Sequence, residues 1–306
     1  MDLVVNILLG IIVAATPLVF AAIGELVVEK SGVLNLGVEG MMIVGAIAGF
    51  SVTLESGNYL IGIVSAILAG ALMALLFGFL TQTLLANQVA TGLALTMFGL
   101  GLAALWGQSY SGKTADKFPK LDIPLLSDLP VVGKLVFGQD YLVYLSVALV
   151  LAVSWFFRKT RGGLIIRAIG ENHEAAHAIG YPVVFYRYLA LLFGGGCAGL
   201  GGAYLSVVQT PFWAEDMTAG RGWIALALVV FAAWRPGRAL LGAYLFGGIT
   251  ILQLHSQGFG VKIEAQYLSM LPYLATIMVL VMISSDRMKV KLNAPACLAQ
   301  SFRAAT

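Results

Sequence analysis

Apolar runs of spanning length alternate with short polar interruptions along almost the whole chain. About 20 apolar residues in a helix cross the ~30 Å hydrocarbon layer of a bilayer. Runs of that order lie at Leu3–Ile23, Val38–Leu54, Tyr59–Leu80, Val89–Trp106, Tyr141–Phe157, Tyr188–Val208, Ala239–His255 and Ser269–Ser284. Trp223–Trp234 has only 12 residues, so it crosses only if part of the polar stretch before it also lies in the membrane. The pattern predicts an all-α fold, a polytopic transmembrane helical bundle of about nine spans, with eight to ten allowed. Interruptions near 24–40 and 209–222 predict broken or re-entrant elements within it. A transmembrane barrel would show alternating segments of ~10 residues, and the chain has none.

Small residues mark where helices meet. Ala66, Gly70, Ala74 and Gly78 recur every four positions and make one smooth helix face. Gly194–Gly202, GGGCAGLGG, predicts close helix contact or a bend, and Pro17 predicts a bend in the first run. Residues 1–286 read as a single transmembrane domain. Within it, 107–140 is the long loop on one side and 158–187 the large basic loop on the other, with 287–306 as a tail.

Composition agrees with the pattern. The 306 residues are 59% hydrophobic and 11% charged, with a mean hydropathy of +0.91. Soluble domains carry about 25% charged residues, so this chain cannot clothe a water-facing surface. A net charge of +3 gives no reason to expect nucleic acid. Cys197 and Cys297 form neither a metal motif nor a disulfide framework. The first 20 residues lack a basic leader and read as a retained helix.

The placement of charge is more informative. Alternating sides from the large basic loop puts 12 of the 18 Lys and Arg on one face: Lys30, Arg158, Lys159, Arg161, Arg167, Arg187, Arg235, Arg238, Arg287, Lys289, Lys291 and Arg303. The other six are Lys113, Lys117, Lys120, Lys134, Arg221 and Lys262. The positive-inside rule then predicts a cytoplasmic basic loop and C-terminus.

Inside the basic loop, Asn172–Gly180 predicts one short helix, capped by Asn172 and stopped by Gly180 and Pro182. Glu174 sits in its first turn, where the helix dipole favours an anion. So short a helix is marginal alone, and Gly162-Gly163 would give it a jointed start. It reads either as a docking element or as an ordinary orienting loop.

Polar groups at membrane depth are tolerated only against protein or a wet cavity, which makes them pathway candidates. Three breaks supply them: Asn35 and Glu39 in Ser31–Met42, Asn87 and Gln88 in Ala86–Gly92, and Gln209, Phe212, Trp213 and Thr218 in Gln209–Gly222. Asn35 and Glu39 would share a face if Leu34–Met42 is helical. Aromatics beside amides and hydroxyls suit a planar, polar solute. The plainer reading makes Phe212 and Trp213 an interfacial belt, pairs Glu215 or Asp216 with Arg221, and pairs Glu39 with Lys30. Nucleophile elbow, zinc-protease, CxxC and P-loop motifs are all missing. His173 and His177 stand at i, i+4 without a third metal ligand nearby.

These residues carry a resemblance. SGVLNLGVEGMM, RAIGENHEAAHAIG and GGAYLSVVQTPFWAEDMTAGRGWIALALVVFA together resemble the permease subunits of bacterial ABC importers, from about Gly24 to Ser284. The wider family is that of the branched-chain amino acid and simple sugar permeases. The branch looks like the nucleoside permeases that work with a basic membrane lipoprotein as receptor. Asp216 stands where the branch usually has Asn, His173 where Pro is common and His177 where Arg is common. The resemblance implies that the short helix is a coupling helix seated in a cytoplasmic ATPase, with Arg167, Gly170, Glu171, Asn172, Glu174, Ala175, Ala176 and Gly180 in that role. It implies no enzyme activity and no cofactor in this chain, since ATP and magnesium would belong to the partner ATPase. It implies a second permease, usually a different chain, and a lipoprotein or periplasmic receptor in the bacterial inner membrane. The expected cargo is a nucleoside or similar small polar solute, with simple sugar, riboflavin or branched-chain amino acid as alternatives. A stand-alone secondary transporter would need an inverted repeat. Comparison of Leu3–Leu80 with Tyr188–Ser284 shows no clear one.

Overall fold

The computed structural model describes residues 2–116, 118, 119, 121 and 133–258, positions 267, 270, 274, 277, 278 and 281, and residues 293–303. Most of the expected span Ser269–Ser284, residues 122–132 of the long loop, and Arg287, Lys289 and Lys291 lie outside the described residues.

The apolar runs form helices: α1 Asp2–Lys30, α2 Val38–Ser56, α3 Tyr59–Gly78, α4 Gln88–Gly107, α5 Tyr141–Lys159, α6 Arg161–Glu171, α7 His173–Ala178, α8 Val183–Ala203, α9 Arg221–Phe231 and α10 Pro236–Gly258. Wider π turns extend α3 through Phe79–Thr83 and α8 through Tyr204–Gln209. Starts are set by side chains that accept from orphan backbone N–H groups: Asn58 for α3, Asn87 for α4, Asp140 for α5 and Thr160 for α6. Among the described residues there is no strand, only an isolated bridge between Thr114 and Phe212.

Among the described residues, seven helices are long and apolar enough to cross a membrane: α1 to α5, α8 and α10. A further passage joins the non-helical stretch after Gln209 to the 11-residue α9. It starts beside Thr114 of the long loop and ends where Trp234 bonds Glu29, one residue from the end of α1. The short run and the break before it together reach from one end of the bundle to the other.

One end of the bundle gathers the end of α1, the start of α4, α6, α7, the start of α8 and residues 293–303. Gln88 Oε1 accepts from Leu34 N, Arg187 Nε donates to the Ser31 carbonyl, and Cys297 N donates to the Gly170 carbonyl. The other end holds the long loop, where Tyr204 Oη donates to Asp140 and Ala115 N donates to Pro211 O. Because α1 finishes at the α6–α7 end, its start lies at the opposite one.

The centre is α2 and α8. In each, 83% of the spanning window is buried, against 28–39% for the other spans, whose remaining surface is left to lipid. Apolar burial cannot drive helices together in lipid, so close packing of small residues must. A Cβ on Gly45 would lie 2.3 Å from Gly199 Cα, and one on Gly70 would lie 2.1 Å from Gly195 O. The Ala66, Gly70, Ala74, Gly78 ladder faces α8, as its spacing predicts.

Three expectations are corrected. The first helix runs unbroken to Lys30, so Glu25 and Glu29 are helical and the break shrinks to residues 31–37. Asn35 and Glu39 do not share a helix face, because α2 starts only at Val38. Gly162-Gly163 is no joint: both lie in the first turn of α6, where a Cβ on Gly163 would meet Phe156 O at 2.2 Å.

Candidate functional site

At one end, α6 and α7 make an exposed platform. Asn172 Oδ1 accepts from Ala175 N at 2.9 Å and caps α7, and Gly180 closes it with φ +94°. Gly170 packs directly on α1, where any Cβ would lie 2.2 Å from Lys30 O. The outer surface carries Arg167, Glu171, Asn172, Glu174, Ala175 and Gly180, all exposed, and Ala176 turns inward with 3% exposure. Apolar Leu164, Ile179 and Phe185 are exposed on the same end, at 59, 73 and 56%. Burial and the nearby Arg187 guanidinium hold the His173 imidazole below its ordinary pKa, with Glu174 opposing them.

The polar breaks build a seam along α2. Asn35 is fully buried: its N and Nδ2 donate to the Glu25 carboxylate at 3.2 and 3.4 Å, and its Oδ1 accepts from Gly37 N. Glu39 accepts from Gly220 N at 2.8 Å and Gly222 N at 2.5 Å. It therefore caps the start of α9, where the helix dipole favours an anion. The expected Lys30 pairing is replaced: Lys30 Nζ donates to Asn293 O. Trp234 Nε1 donates to Glu29 Oε2, so each of three carboxylates in or beside the break is held by a segment distant in sequence or across the break.

α4 runs alongside, with Gly92 against Leu36 and Gly99 against Gly40. Asn87 is exposed, and its side chain caps α4 by accepting from Ala90 N. Gln88 is buried, its Oε1 bonded to Leu34 N and its Nε2 without a partner. Trp213 is buried against Gly107 with Nε1 unpaired, Thr218 is buried with Oγ1 unpaired, and Gln209 is half-buried with Oε1 unpaired. Phe212 is 44% exposed and pairs by its backbone with Thr114. Arg221 Nη1 donates to the Met217 and Thr218 carbonyls.

Among the described residues, five buried side-chain polar atoms lack a partner, and four belong to Gln88, Gln209, Trp213 and Thr218. Native interiors rarely leave such groups unmatched. The four run along the bundle, from Trp213 at the long-loop end to Gln88 near the α6–α7 end.

Sequence reading missed Glu25, Glu29 and Arg187. The i, i+4 carboxylates at the end of the first run were the available signal. Arg187 was counted as a loop charge, yet it is fully buried.

A multi-span bundle with a polar seam along its centre and an exposed helical platform at one end suits a membrane permease. The family model described as the branched-chain amino acid transport system / permease component matches residues 7–283, and the chain belongs to that family. It is a permease subunit of an ABC importer. Three relatives are similar over most of their length. A Haloferax volcanii protein provisionally named as a glucose ABC transporter permease protein, TsgC13, is 43% identical over 94% of each chain. The guanosine ABC transporter permease protein NupQ of Bacillus subtilis is 35% identical, over 89% of this chain and 92% of its own. The nucleoside ABC transporter permease protein NupC of Lactococcus lactis is 32% identical, over 89 and 90%.

Proposed function

We propose that this chain passes a nucleoside, or a similar small polar solute, into the cell between itself and a second permease. The observation that carries the reading is the capped, exposed α7 platform joined to the polar seam. A cytoplasmic ATPase seated on Glu174, Ala175 and their exposed neighbours supplies the work, binding ATP and magnesium itself. A substrate-binding lipoprotein or periplasmic receptor delivers the solute at the long-loop end. The excess of Lys and Arg at the α6–α7 end supports a cytoplasmic platform and C-terminus, in the inner membrane. The names of two relatives support nucleoside cargo. The 43% relative favours a second reading, a simple sugar. Ring hydroxyls are common to both solutes.

The test is uptake by liposomes holding the permease pair, its ATPase and its receptor, with labelled guanosine and labelled glucose in parallel. ATP-dependent guanosine uptake supports the first reading, and glucose uptake alone supports the second. Glu174→Arg, which reverses a charge on the platform, should lower both uptake and solute-stimulated ATP hydrolysis. Normal uptake by that variant would remove α7 from the coupling role.

A further inference from the structure

The i, i+4 histidines of α7, His173 and His177, both contact one ring. They grip a phenylalanine from the far end of the chain: the Phe302 ring lies edge-on to His173 at 5.2 Å and to His177 at 5.3 Å. Phe302 is 6% exposed and packs with Ile169, Ala176 and Val183, a small apolar cluster separate from the main core.

The backbone before Phe302 is stitched down on the same unit. Cys297 N donates to Gly170 O at 2.8 Å, Ala299 N to Gly32 O at 3.1 Å, and Lys30 Nζ to Asn293 O at 2.8 Å. Arg187 then joins the parts. Its guanidinium donates to Ser31 O, to Gln82 Oε1 and to Gln300 O, and its Nη2 lies 3.3 Å from His173 Nδ1. One buried cation thus touches the α1–α2 break, the π turn after α3, α7 and the C-terminal segment.

A six-residue helix cannot hold its own shape or direction in water. Its inward face is His173 and Ala176, and the C-terminal segment covers that face. We propose that Asn293–Arg303 is the seat of α7, with Phe302 and Arg187 as positioning residues for ATP-coupled transport. The seat fixes the angle at which the outer face meets the ATPase and ties that face to the α1–α2 break. This rests on the coupling role given above, but the contacts that define the seat stand apart from the docking surface.

The experiment compares Phe302→Ala with Phe302→Leu in the full complex in nanodiscs, reading hydrogen exchange of residues 173–178 and ATP hydrolysed per solute imported. Emptying the site in Phe302→Ala should speed exchange of α7 at least about tenfold, with α2 and α8 unchanged, and should raise the ATP spent per solute. Phe302→Leu, which keeps most of the apolar volume, should restore both. Unchanged exchange in Phe302→Ala overturns the seat. Faster exchange with an unchanged ATP-to-solute ratio overturns the positioning role. If Phe302→Ala does not reach the membrane, a chain ending at Gln300 is read the same way. Glu174→Arg, which leaves the Phe302 contacts in place, tests docking separately: loss of ATPase binding there leaves the exchange result to decide the seat.

Discussion

Glu39→Gln tests whether this carboxylate holds the fold or handles the solute. Glu39 is 3% exposed and accepts two backbone N–H groups at the start of α9, from Gly220 and Gly222. Hydrogen bonds to a charged group contribute about 1.5–3 kcal/mol each, and an anion at a helix start adds roughly 0.3–1 kcal/mol. The amide keeps one carbonyl acceptor but turns an NH2 toward the other N–H, so one bond is lost and two donors face each other. The expected cost is about 2–3 kcal/mol, or roughly 3–5 °C in melting temperature for a chain of 306 residues. Glu39→Ala strands both donors and should cost roughly 3–6 kcal/mol. The assay is thermal unfolding of the purified complex in nanodiscs, with solute uptake by the same preparation. An unchanged melting temperature with altered uptake would refute the capping account and return Glu39 to direct contact with solute.

Other outcomes follow from the packing and the charges. Cysteine at Ser111 should react with an impermeant thiol reagent in intact cells, and cysteine at Ile179 only after permeabilisation; both native cysteines are buried, so background labelling should be low. Gly199→Val should prevent stable insertion, since even a Cβ there lies 2.1 Å from Ala66 O, and a normal melting curve would contradict the close packing. His173 is held below its ordinary pKa of about 6.5, so the unfolded chain binds its proton first. The stability this gives is present above about pH 6.5 and falls as pH drops toward the folded value, where a second cation would face Arg187 with only Glu174 to offset it. Coupled uptake should weaken as pH falls below about 6.5 in the parent and not in His173→Gln, measured with the receptor held at constant saturation.

The fold was legible because lipid leaves a sequence little choice: spans must be apolar, and helices that touch must be small at the contact. The Ala66–Gly78 ladder and the Gly194–Gly202 run were read for what they are. Errors came where one residue type serves two purposes. Gly163 looks like a joint but makes room for the Phe156 carbonyl. Glu25 and Glu29 look like the end of a helix, yet Asn35 and Trp234 satisfy them inside it. Arg187 looks like a surface charge, but its partners Ser31, Gln82 and Gln300 lie 105 to 156 residues away along the chain, and only His173 is near in sequence. No local pattern encodes such partners, nor the return of Phe302 onto α7.

The packing also limits which parts can move. α1, α2, α3 and α8 meet backbone to backbone at Gly24 and Gly194, Gly45 and Gly199, and Gly70 and Gly195. With no side chains between them, small relative shifts produce overlap or voids, so these four helices act as one body. α9 is tied to that body by polar contacts at both ends, Glu39 at its start and the Trp234–Glu29 bond just past its end. From α7, contact runs through His173 and Arg187 to Ser31, and from there the break leads to Asn35 and Glu39. Adjacency of this kind is not itself coupling, which requires an element with two arrangements that both sites bias. α9 and the stretch before it are the element to examine. Hydrogen exchange there should change when ATP binds the complex, and that change should vanish in Phe302→Ala while ATP still binds. A response of α9 that survives loss of the α7 seat would route the coupling elsewhere.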